Sequence, residues 1–67
     1  MSAYRIFRDE GKKMLYVQRL AKPDLAGNQR WVIAATLKFS DMVKTPDGLE
    51  QAADLSDEEL LRAVVGE

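Results

Sequence analysis

Neither cysteine nor histidine occurs in the 67 residues of the chain. The first absence removes disulfide staples, thiolate nucleophiles and the commonest zinc ligand; the second removes the commonest general base and most remaining transition-metal sites. Long apolar runs are missing too. Nothing approaches the roughly 18 residues that span a bilayer, and the N-terminal Met-Ser-Ala-Tyr-Arg lacks the apolar stretch of a signal peptide. The expectation is a cytoplasmic protein with no membrane partner. The four glycines, Gly11, Gly27, Gly48 and Gly66, stand apart from one another. They make no phosphate-binding loop and read as turn and helix-end residues.

These absences narrow the chemistry. The hydroxyls of Ser2, Ser40, Ser56, Thr36 and Thr45 have no histidine with which to form a triad. A chain this short also has too few large side chains to build a core and enclose a substrate pocket of several hundred Å3 as well. Asp54, Asp57, Glu58 and Glu59 cluster in sequence, but carboxylates collect at helix N-termini for dipole reasons, and the spacing of a calcium loop is absent. The expectation is therefore no catalytic residue, no metal, no cofactor and no small-molecule substrate.

What the chain does have is a globular balance, 46% apolar and 31% charged residues, enough for one small domain over residues 1–67. Its net charge of −1 hides a division. Residues 1–44 carry nine basic side chains against four acidic ones, whereas residues 45–67 carry one against seven.

Aromatic and β-branched residues over 3–8 predict a strand, and Asp9-Glu10-Gly11-Lys12 supplies a loop in which Gly11 offers positive φ. A second strand is expected over 13–21, ended by Pro23. The polar stretch 22–29 allows a wide hairpin or a crossover. Over 30–39, Trp31, Ile33, Ala35, Leu37 and Phe39 alternate with Arg30, Val32, Ala34, Thr36 and Lys38. That period of two predicts a strand with the Trp31 set toward the core. Residues 45–53 read as a turn at Thr45-Pro46-Asp47-Gly48 or as a short helix. Ser56 and Glu59 form a capping box and Leu55 and Leu60 a hydrophobic staple, which predicts a helix over 56–65 ended by Gly66. The fold class is α+β: a three-stranded antiparallel meander with a C-terminal helix packed on one face.

One helix covers one face, and all three strands are apolar on both. The open face should hold an apolar patch rimmed by charge, with Phe7, Tyr16, Val32, Ala34 and Thr36 flanked by Arg5, Arg19, Arg30 and Lys38. This suggests a non-enzymatic protein-binding module, an inhibitor or adaptor of the kind phages and mobile elements encode. It would bind a protein partner or a second copy as a homodimer, through the open face or a strand edge. The alternative is a nucleic-acid-binding domain using the basic face of the sheet. In element order alone, a three-stranded sheet followed by a helix resembles the arm-type DNA-binding domains of some phage-type integrases, which place such a sheet in the major groove.

Overall fold

In the computed structural model, residues 3–66 are described. Three strands, β1 (Tyr4–Asp9), β2 (Met14–Leu20) and β3 (Trp31–Lys38), form an antiparallel sheet with β2 in the centre. This is the expected meander, and the 22–29 stretch makes the wide hairpin rather than a crossover. Its loop is held by Asp24, whose carboxylate accepts the amides of Ala26 and Asn28, each at 2.9 Å.

A second sheet was not anticipated. β4 (Met42–Thr45) and β5 (Gly48–Gln51) pair as a hairpin around Pro46 and Asp47. The turn reading of 45–48 therefore holds, whereas helical backbone is confined to a 3-10 turn at Ala52–Asp54. Gly48 takes φ of +123°, which a helix could not accommodate.

The final element, α1 (Asp57–Val64), follows the local code closely. The Ser56 hydroxyl accepts the Glu59 amide at 3.1 Å and the Glu59 carboxylate accepts the Ser56 amide at 3.0 Å, so two otherwise unpaired helix-end donors are satisfied. The bond from the Ser56 backbone, reinforced by its hydroxyl and by Arg62, holds the Glu59 carboxyl below its ordinary value. Arg62 pairs with Glu58 at 3.2 Å, and Gly66, at φ of +89°, closes the C-terminus by donating to the Leu61 and Arg62 carbonyls.

An eight-residue helix is too short to persist undocked. Leu60 and Leu55, the staple pair, are buried with Leu15 of β2, Val43 of β4 and Ala52, and Ile6, Leu37 and Phe39 pack around them. One core thus joins both sheets and the helix. Arg8 ties the helix start to β1: its Nη2 donates to the Leu55 carbonyl at 2.6 Å and to Asp57 Oδ1 at 2.9 Å.

Two local expectations change. Gly11 does not use positive φ; that conformation falls on Lys13, at φ of +57°. The second concerns β3. Val17 pairs with Ala35, but the next residue, Gln18, pairs with Ile33, so Ala34 is an extra residue without a partner. Such a bulge reverses the phase of the side chains beyond it. Ala35 and Leu37 lie on the core face as expected, while Trp31 and Ile33 lie on the open face.

Candidate interaction surface

Pairing across the strands assigns each side chain to a face. Ile6, Leu15, Val17, Ala35 and Leu37 share the face that meets α1 and the second sheet. The opposite face carries Arg5, Phe7 and Asp9 from β1, Met14, Tyr16, Gln18 and Leu20 from β2, and Trp31, Ile33, Thr36 and Lys38 from β3. Among the described residues no element covers it. Phe7 keeps 54% of its surface exposed and Ile33 60%, values more than half those of free side chains, so water meets both.

The face is ordered by its own contacts. The Phe7 and Tyr16 rings stack with centroids 6.1 Å apart and 21° between planes. Beside them, the Arg5 guanidinium reaches across β2 to lie 4.2 Å from the Trp31 ring centroid, and its Nε donates to Gln18 Oε1 at 2.7 Å. A shallow depression of about 430 Å3 opens between Arg5, Phe7 and Gln18.

The expected binding residues divide. Phe7, Tyr16, Thr36, Arg5 and Lys38 come together on the open face. Val32 and Arg19 pair with each other on the opposite side: the bulge changes the phase of Val32, whereas Arg19, three residues from Tyr16 on β2, is carried there by ordinary alternation. Ala34 is the bulged residue, and Arg30 lies before β3 begins. Trp31 and Ile33, assigned to the core from the unbroken alternation, take the place expected of Val32. The basic stripe is therefore broken: Arg5 and Lys38 remain, with Asp9 on the same face.

Other exposed apolar side chains lie outside the expected set. Leu25 is fully exposed at the tip of the β2–β3 loop, and Met42 and Leu49 project from one side of the β4–β5 hairpin. A groove of about 480 Å3 between the Pro46 turn and α1 is lined by Lys44, Asp47, Glu59 and Arg62, charges of both signs with no shared focus. Among the described residues no three of His, Cys, Asp or Glu are grouped to hold a metal ion, and no helix is long and apolar enough to cross a membrane.

The molecule is also more open than its mass requires. A compact chain of 67 residues has a radius of gyration near 11 Å, against 13.1 Å here. A folded monomer of 7.6 kDa exposes about 4,300 Å2, against 4928 Å2. Comparison with protein-family models, with curated proteins and with solved structures finds no match for the chain.

Proposed function

We propose that this chain is a non-enzymatic protein-binding module, an inhibitor or adaptor that occupies a partner's surface with the open face of its three-stranded sheet. The observation that carries the reading is the contiguous set Phe7, Tyr16, Trp31 and Ile33 on a face that nothing else in the described chain covers. Aromatic side chains stiffened by mutual stacking lose little entropy on docking, and such residues dominate interface energetics. Arg5 and Lys38 at the margin supply the polar rim that accompanies an apolar centre.

Nucleic-acid binding is the second reading, favoured by one observation: aromatic rings and two cations share a sheet face, the arrangement on which bases stack. Its support is thinner, because Arg19 and Arg30 do not join that face.

The test is capture from a nuclease-treated extract of the native host, comparing the wild-type chain with Ile33→Asp and Phe7→Asp. A protein retained when salt is raised from roughly 50 to 300 mM and lost with either substitution is the expected result. Capture that is indifferent to both substitutions, or that vanishes with nuclease, defeats the proposal. Both variants change exposed positions, and unchanged unfolding midpoints establish that loss of capture is not loss of fold.

A further inference from the structure

We infer that Arg5 is a preset carboxylate receptor, and that the segment bound by the open face is extended and acidic, with an Asp or Glu two residues from an apolar side chain. This rests on the protein-binding reading above and specifies its partner's chemistry.

Arginine is usually a mobile surface group that must be ordered before it can bind. Here it is already ordered. Trp31 supports one face of the guanidinium at 4.2 Å, and Gln18 Oε1 accepts from Nε at 2.7 Å. Those two contacts leave the terminal nitrogens, which meet no acceptor among the described residues. They form the fork that takes a carboxylate through two parallel hydrogen bonds. Gln18 and Trp31 are positioning residues in this scheme: each sets the plane and direction of the fork without touching the ligand.

The spacing follows from the strand. The fork is held beside Gln18 on β2, and Tyr16 lies two residues from Gln18 on the same face, about 7 Å away at the rise of a β-strand. An extended partner segment has the same repeat. A carboxylate in the Arg5 fork therefore puts the side chain two residues along over the Phe7–Tyr16 stack, and the depression between Arg5, Phe7 and Gln18 receives the link between them.

Charge selects this occupant over a second copy. The open face offers Arg5 and Lys38 against Asp9, whose Oδ1 already accepts the Lys12 amide at 3.1 Å. Two such faces brought together oppose like charges. The acidic surface of α1, at Asp57, Glu58 and Glu59, is helical rather than extended, so residues two apart such as Glu59 and Leu61 do not share a face and the required pattern is absent. A phosphate chain is disfavoured by the dispersal of Arg19 and Arg30 away from the face.

The experiment is selection of short random peptides displayed on a surface against the whole chain, followed by titration of the recovered peptides and of oligothymidylate. Trp31, the chain's one tryptophan, reports occupancy through its fluorescence. The expected result is enrichment of Asp or Glu two positions from Leu, Ile, Phe or Tyr. Affinity should fall at least roughly tenfold for Arg5→Gln, and by a smaller factor for Gln18→Leu, which keeps the charge but frees the fork. Peptides that need Phe7 and Ile33 but show no acidic preference overturn this inference and leave the protein-binding reading standing. Oligothymidylate binding that depends on Arg5, with no peptide recovered, overturns both. Recovery of no ligand at all, or acidic peptides that bind Arg5→Gln as tightly as wild type, overturns the inference.

Discussion

Replacing Arg8 with methionine separates two contributions that the structure superimposes. Methionine keeps much of the packed stem on the core face and removes the guanidinium. Two partners are lost: the Leu55 carbonyl, part-buried at 2.6 Å, and the Asp57 carboxylate, whose side chain is 57% exposed. A charge-assisted bond to a carbonyl that water reaches poorly contributes about 1.5–2 kcal/mol. The ion pair, open to solvent and to salt, adds only about 0.2–1 kcal/mol. Arg8→Met should therefore cost about 2 kcal/mol, a large share of the roughly 3–10 kcal/mol expected for a chain of this length. Asp57→Asn, which loses the ion pair and part of the favourable helix-dipole interaction, should cost about 0.5–1 kcal/mol. Urea unfolding followed by circular dichroism and by Trp31 fluorescence, on both single variants and the double, measures the coupling between the two residues. A coupling above about 1.5 kcal/mol means that the ion pair, not the carbonyl, fastens the helix to β1, and the reasoning fails. So does an Arg8→Met cost below about 0.5 kcal/mol.

Four further outcomes are expected. Gly11→Ala should stabilise the protein by about 0.4–1 kcal/mol in thermal unfolding, because Gly11 does not need positive φ and a Cβ there meets Asp9 Oδ1 at an ordinary 3.5 Å. Gly48→Ala should destabilise by about 1–3 kcal/mol for the opposite reason, its φ of +123° being unsuited to any side chain despite open space around it. Ser56→Ala should cost about 1 kcal/mol through loss of the cap. The capping box also predicts a pH dependence. With its folded pKa below the ordinary value near 4.5, Glu59 contributes stability in full above that value and loses it as pH falls through the lower folded one. An NMR titration of the Glu59 carboxyl that finds no depression, or stability that rises on acidification through this range because of Glu59, contradicts the assignment.

The elements most legible in the sequence were those whose signals are local. Ser56, Glu59, Leu55 and Leu60 mark the start of α1 within six positions, and the helix begins where they place it. The three long strands are legible because each has enough residues for a period of two to register. β4 and β5 are not: each has four residues, and along Met42–Thr45 only Val43 turns fully inward, so no alternation accumulates. The bulge is hidden for a different reason. Ala34 and Ala35 are alike in size and polarity, so nothing in the side chains reveals which one lacks a partner. The alternation in the sequence runs unbroken through it and so predicts Trp31 and Ile33 in the core. The membership of the open face is nonetheless partly legible, since Phe7, Tyr16, Thr36, Arg5 and Lys38 lie on strands or strand segments before the phase changes.

That single unpaired alanine has a consequence for how the surface could vary. Removing or adding one residue near position 34 would trade Trp31 and Ile33 for Val32 and its neighbours, exchanging what β3 contributes to the upper half of the exposed side in one step while Arg5, Gln18 and Leu20, and the lower half held by Leu15 and Leu37, stayed in place. Change by indel at this point would thus act as a coarse selector of what the protein presents, where point substitutions at Phe7 or Ile33 adjust it finely.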